Sequence, residues 1–182
     1  MIEDQRYDQG LTDFRPVLNR MKAKNPDGVL MVSYAADSVT VMRQAREVGV
    51  KPRLFAGGAA GFALPDFIKD SGSASENVVT ATAWIPQLRY AGTQKLNIDL
   101  KKALGGADPS YHAAQGYAAV LVAAEALRAA GSTDREKVRA ALNSVTMNTA
   151  FGPIAFKDYD GFRNQNPLVM VAQQVQNGAF VP

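Results

Sequence analysis

Val29-Leu30-Met31-Val32, then Ser33-Tyr34-Ala35-Ala36-Asp37-Ser38, then Val41-Met42-Arg43-Gln44-Ala45-Arg46-Glu47-Val48-Gly49 decide the fold class. The first four residues are a continuous apolar run after the breaker Asn25-Pro26-Asp27-Gly28. That is the pattern of a strand buried on both faces of a parallel sheet. The period then changes: Val41, Met42, Ala45 and Val48 line one face of a helix that Asp37 or Ser38 can cap and Gly49 ends. Upstream, Phe14, Val17, Leu18 and Met21 follow i, i+3, i+4, i+7 spacing, predicting an amphipathic helix opened by Thr12 or Asp13, with Pro16 in its first turn. Downstream, strand signals over 53–56 and 78–81 flank a short helix over 65–70. This alternation predicts an α/β doubly wound sheet.

The alternation breaks in the middle of the chain. Residues 90–104 and 110–130 read as two long helices, and Thr133-Asp134-Arg135-Glu136 is a capping box opening a third, which carries Val138, Ala141 and Leu142. The second carries an apolar stripe of Tyr117, Val120, Leu121, Ala124 and Leu127. Burying each large member is worth about 1.5–3 kcal/mol, a weighty sum beside a domain stability of about 5–15 kcal/mol. The upstream sheet already has its own helices, so either these three pack on a surface outside this sequence or they cluster together. Strand signals return in Gly152-Pro153-Ile154-Ala155-Phe156, followed by a Gly/Asn-rich turn, a strand over 168–175 and a closing hairpin through Asn177-Gly178.

Composition narrows the function classes. Of 182 residues, 47% are hydrophobic and 20% charged, with a net charge of +3 and no dense Lys/Arg run, which argues against a nucleic-acid footprint. Without cysteine there is no disulfide framework, thiolate metal site or cysteine nucleophile. The longest apolar run, 118–124, is far short of the roughly 20 residues of a membrane span. Met1-Ile2-Glu3-Asp4-Gln5-Arg6 lacks the features of a signal peptide, leaving a cytosolic protein or one whose leader lies elsewhere.

In an open α/β sheet, ligands bind beyond the carboxyl ends of the strands. Three such ends are expected here: Ser33-Tyr34-Ala35, Gly57-Gly58-Ala59-Ala60 and Thr82-Ala83-Trp84. Small residues let a ligand approach the backbone, and Tyr34 and Trp84 can supply aromatic walls, or can equally be half-buried loop aromatics. The catalytic motifs fail. Gly57-Gly58-Ala59-Ala60-Gly61 is neither a dinucleotide fingerprint nor a Walker loop, and there is no Gly-x-Ser-x-Gly elbow. The single histidine, His112, reads as a surface or interface residue, and Asp158, Asp160 and Gly161 read as a solvated turn. No catalytic residue, metal or cofactor is expected, and enzymatic activity is the least favoured reading.

An ordered set of segments then points to a family. Tyr7, Thr12-Asp13-Phe14, Asn25-Pro26-Asp27, 43–49, Gly116-Tyr117-Ala118-Ala119, 130–134, 151–156 and Gln174-Val175-Gln176-Asn177-Gly178 together resemble the periplasmic solute-binding proteins of branched-chain amino acid-type ABC transporters, type I fold. The resemblance implies two α/β lobes joined by three crossings with ligand in the cleft, of which this chain looks like the C-terminal half. Its implied organisation is 1–83 as the main part of the second lobe, beginning at an Ile2-Glu3 strand remnant, 84–150 as hinge and first-lobe helices, and 151–182 as crossover and closing strands. It implies a ligand site at Tyr34, Ala35, Gly57, Gly58, Ala59 and Trp84, and no cofactor. The implied partners are a small-molecule ligand, ABC permease subunits and a missing N-terminal half, in a periplasmic or extracellular location. Amino-acid binders of the family carry a carboxylate where Gly58 stands. An unpaired buried ammonium is costly, so aromatic carboxylates or amides join branched-chain amino acids as expected ligands. The alternative reading is a ligand-sensing regulatory module of the same fold, which a ligand-induced dimer rearrangement would favour.

Overall fold

The computed structural model describes residues 2–182. The chain divides into two compact units, one of 1–82 with 171–182 and the other of 83–170.

The first unit is built on a five-stranded sheet. Its strands are β1 (Gly28–Val32), β2 (Leu54–Gly58), β3 (Val78–Thr82), β8 (Val171–Gln176) and β9 (Ala179–Val181), in the order β1-β2-β3-β8-β9. β1, β2 and β3 run parallel, while β8 is antiparallel to β3 and β9 to β8. Three helices accompany them: α1 (Arg15–Ala23), α2 (Ala35–Glu47) and α3 (Pro65–Ser71). One sheet face, with Val29, Met31, Phe55, Val78 and Val175, packs on Phe14, Leu18, Val41, Met42, Ala45 and Phe67 from the helical layer.

The opposite face is bare. The expectation of a first strand buried on both sides is met on one side only: Leu30 and Val32 are 70% and 62% exposed, and Leu54 is also exposed. Nothing among the described residues covers them. Nor is 2–7 a strand, so the expected Ile2-Glu3 remnant pairs with nothing in a ladder.

Helix α1 begins later than expected, at Arg15, with Phe14 and not Thr12 or Asp13 at its N-cap position. Its end is satisfied from a distance. The buried Gln44 of α2 accepts the Phe14 N–H through Oε1 at 2.6 Å and donates from Nε2 to the Thr12 carbonyl at 2.9 Å. One side-chain amide thereby caps α1 and ties it to α2.

The second unit holds α4 (Thr93–Ala103), α5 (Tyr111–Ala130) and α6 (Arg135–Leu142), then two hairpins, β4–β5 (Thr146–Thr149, Gly152–Ala155) and β6–β7 (Lys157–Tyr159, Phe162–Gln165). Residues 151–170 thus belong with the helices, and only 171–182 return to the sheet of the first unit. The reason is local: Ile154 on β5 packs with Val122, Ala126 and Val145. The cap of α6 is Asp134, whose Oδ1 accepts the Lys137 N–H at 3.0 Å, one residue past the expected Thr133.

Helix α5 buries its small residues, Ala114, Ala118, Val122 and Ala126, at i+4 spacing. Its large apolar stripe points away from this core. Val120 is 68% exposed, and Tyr117 and Leu127 are exposed as well. Of the two arrangements left open by the sequence, helices clustering on themselves use the alanine face, and the stripe is left for a surface that the described residues do not include.

Gln44→Ala leaves the Phe14 amide and the Thr12 carbonyl without this partner. Urea unfolding should show a loss of about 1–3 kcal/mol, the usual cost of stranding buried polar groups. A change below about 0.5 kcal/mol, the size of an ordinary surface substitution, would contradict the capping role.

Candidate functional site

At the carboxyl ends of β1 and β2 the two following loops are joined into one platform. Residue 33 continues β1, its N–H donating to the Gly58 carbonyl at 3.4 Å, and the Gly61 N–H donates back to the Ser33 carbonyl at 3.2 Å. The Ser38 hydroxyl, fully buried, lies 2.7 Å from the Ala35 carbonyl and 3.1 Å from that of Gly61. From the amino-terminal segment, the Tyr7 hydroxyl donates to Ser33 Oγ at 2.7 Å. Three chain segments therefore converge on Ser33.

Two glycines permit this convergence. A Cβ at Gly61 would stand 2.5 Å from the Ser33 carbonyl oxygen and 2.6 Å from the carbonyl carbon of Tyr34. A Cβ at Gly57 would overlap the ring of Phe62, which is fully buried at the end of the short 3-10 turn Ala60–Phe62. Gly58 is different. A Cβ there would meet only Val32 Cγ2 at 3.3 Å and the Met31 carbonyl at 3.7 Å, and Val32 is an exposed side chain free to give way. Between Gly58 and the turn, Ala59 has φ 62° and ψ −179°, a conformation essentially reserved for glycine that costs a side-chain-bearing residue about 1–3 kcal/mol. Such strain persists only where surrounding contacts over-determine it, and it concentrates at functional sites.

Of the six residues expected at the site, five meet on this platform: Tyr34, Ala35, Gly57, Gly58 and Ala59. Tyr34 is the N-cap residue of α2 in extended conformation and stands 61% exposed. Gly57 serves the packing of Phe62, so its role lies beneath the platform surface. Trp84 is placed elsewhere. It is 2% exposed in the core of the second unit with Leu96, Ala114, Ala118 and Phe151, and its indole N–H donates to the Ala150 carbonyl at 3.0 Å. The Thr93 hydroxyl donates to the same carbonyl at 2.9 Å. An indole so enclosed is a packing residue in its own unit, not the open aromatic wall expected of it.

Sequence reasoning placed Ser33 at the strand end but missed the parts that Tyr7 and Ser38 play there. The small hydroxyl residues after β1 were visible, but their partners lie 23 to 26 positions away. No acidic side chain occurs within 33–35 or 57–61. The nearby Asp37, buried, accepts the Gly10 N–H at 3.2 Å, and so holds the amino-terminal segment against α2.

The profile of the periplasmic binding protein family matches residues 1–179, and the chain belongs to that family. Among its relatives is a Leu/Ile/Val-binding protein homolog 7 of Brucella melitensis, 26% identical over 189 residues, an alignment covering all of this chain and 47% of the relative. Among solved structures, the leucine binding protein LivK of Thermotoga maritima superposes with a TM-score of 0.82 at 28% identity, covering 94% of this chain and 48% of that one. A Rhodopseudomonas palustris solute binding protein, solved in complex with benzoate, shares the fold at a TM-score of 0.78 and 17% identity, covering 94% of this chain and 46% of its own. The fold is thus the expected type I periplasmic-binding-protein-like α/β architecture. The chain spans about half the length of the relatives it matches.

The two adjacent glycines should respond oppositely to the same substitution. Gly57→Ala drives a methyl into Phe62 and should cost about 1–3 kcal/mol, as overpacking does. Gly58→Ala should change stability by no more than about 0.5 kcal/mol, as at an ordinary surface position. Equal effects in chemical denaturation would contradict the platform geometry.

Proposed function

We propose that this chain contributes one wall of the ligand site of a solute-binding component of an ABC transporter. The wall is the platform of Tyr34, Ala35, Gly58 and Ala59. The observation that carries this reading is the convergence of two loops, locked by the Ser33–Gly58 and Gly61–Ser33 hydrogen bonds, on an exposed tyrosine beside a strained alanine. A platform of small residues lets a ligand reach the backbone, and the phenol adds an aromatic face with a polar tip. The relatives named for leucine, isoleucine and valine support a small amino acid or a compound of similar size. The structural neighbour in complex with benzoate extends the fold, though not by itself the ligand, to aromatic carboxylates.

The absence of an acidic residue in 33–35 and 57–61 bears on ligand class. A ligand ammonium resting here finds no countercharge from these loops, and a buried unpaired charge is strongly disfavoured. Aromatic carboxylates or amides therefore fit this wall at least as well as α-amino acids. Function is binding and release, without chemistry on the ligand. The partners are the small solute and the permease subunits of the transporter, and the setting is the periplasm, in keeping with the family.

The test is a titration of L-leucine and benzoate into the full chain, followed by amide chemical shifts. Shifts should cluster at 33–35 and 58–60 and spare the β6–β7 hairpin. No clustered shift up to about 10 mM, where even ~3 kcal/mol of binding would register, would contradict the reading. Tyr34→Ala should weaken the better ligand about tenfold, or ~1.4 kcal/mol, with the fold intact. Gly58→Glu should move the preference toward leucine over benzoate, and an unchanged preference would remove the electrostatic argument.

A further inference from the structure

The turn between β8 and β9 is Asn177-Gly178, the one Asn-Gly pair in the sequence. Both residues have positive φ, 53° and 73°, as a two-residue type I′ turn requires. Asn177 is exposed, and its side-chain amide makes no hydrogen bond among the described residues. Glu76, which precedes β3, reaches across to this turn. Its Oε1 accepts the Asn177 N–H at 2.7 Å and its Oε2 accepts the Gly178 N–H at 3.2 Å. We propose that Asn177 is a site of spontaneous deamidation whose rate is set by this carboxylate clamp.

Besides the chain itself, the chemistry needs only water. The Gly178 main-chain nitrogen gives up its proton and attacks Cγ of Asn177. A C–N bond forms there, the side-chain amide nitrogen leaves as ammonia with that proton, and a five-membered succinimide remains. Water then opens the ring. Attack at Cγ gives aspartate, and attack at the main-chain carbonyl gives isoaspartate; nothing is oxidised or reduced in either step. Glycine suits the attacking position because no side chain hinders the approach of its nitrogen.

Two features hold the reaction back in the folded chain. A residue in the left-handed conformation turns its Cβ away from the following nitrogen, so the ring closes only when the turn opens. The nitrogen that must attack is also the donor held by Glu76 Oε2, and hydrogen bonds to an ionised acceptor are about twice as strong as neutral ones. Glu76 is itself fixed. The Arg46 guanidinium of α2 donates to its carbonyl at 2.7 Å, and the N–H of the next residue, Asn77, donates to the Val175 carbonyl of β8 at 2.9 Å. The clamp thus ties the turn to both the sheet and the helical layer. Either product places a second carboxylate beside that of Glu76, and isoaspartate adds a main-chain carbon to a two-residue turn whose length sets the register of β9. The site lies at the opposite ends of the strands from the ligand platform and does not depend on it.

The test is incubation of the full chain at mildly alkaline pH, with deamidation at each asparagine followed by peptide mass mapping. Asn143-Ser144, exposed at the end of α6 in the other unit, is the internal reference. The same chain held in urea supplies the unprotected rate at Asn177. The folded chain should deamidate at Asn177 more slowly than in urea. Glu76→Ala should speed it about ten- to a hundredfold, the reach of a charged hydrogen-bond acceptor, with Asn143 unchanged. Glu76→Gln keeps one acceptor oxygen and should fall between the two. It carries the comparison if hydrogen exchange at Phe55 and Val78 shows that the alanine variant is unfolded. Equal rates at Asn177 in the unaltered chain and the variants would overturn the proposal. So would a rise at Asn177 matched by one at Asn143, which would mean general unfolding. An Asn177 that stays intact in the variants while the urea-held chain deamidates would also overturn it, because the turn geometry alone would then be the protection.

Discussion

The approach of Gly61 to the Ser33–Tyr34 peptide is the contact on which the site depends. There is no room between them for a methyl group. The hydrogen bond it permits, from Gly61 N–H to the Ser33 carbonyl, joins the loop after β2 to the loop after β1. Everything else on the platform is arranged around that bond. Ser38 reaches the Gly61 carbonyl from the first turn of α2, Tyr7 reaches Ser33 from the amino-terminal segment, and Phe62 fills the space under Gly57. Ala59 is held in its strained conformation between two fixed ends. A rigid wall of this kind spends its ordering cost on folding, leaving less to be spent when a ligand arrives.

The sheet shows how one chain can be folded and unfinished in its surfaces. The inner face of the sheet, with the Phe14–Leu18–Phe67 cluster, is a well-packed core. The outer face and the edge of β1 carry apolar side chains in water. Helix α5 repeats the pattern in its own unit, with alanines inside and Tyr117, Val120 and Leu127 outside.

Much of this was legible in the sequence because the signals were local. The apolar run at 29–32 and the period of α2 located β1, α2 and the loop between them, and the Ser110 and Asn177-Gly178 signals located α5 and the final hairpin. What escaped was decided at a distance. The cap of α1 comes from Gln44, about thirty positions away. Trp84 follows a strand end just as a site aromatic would, and only the Ala150 carbonyl, 66 positions on, shows that it belongs to a core. The β4 and β6–β7 strands are three or four residues long and largely polar, so no apolar alternation announced them; the turn Asp160-Gly161, both at positive φ, was the one visible trace. The exposure of Leu30 and Val32 was unreadable for a different reason: pattern reveals that a side chain suits burial, not whether this chain provides the cover.

The most direct test of the account is native-state hydrogen exchange at two amides, Ser33 and Gly61. If the two loops are locked together as described, both belong with the slowest-exchanging amides of the first unit, alongside Phe55 and Val78 in the centre of the sheet, because they open only when the sheet does. Exchange of Ser33 and Gly61 at the rate of free loop amides would mean that the loops move independently, and the platform would not exist.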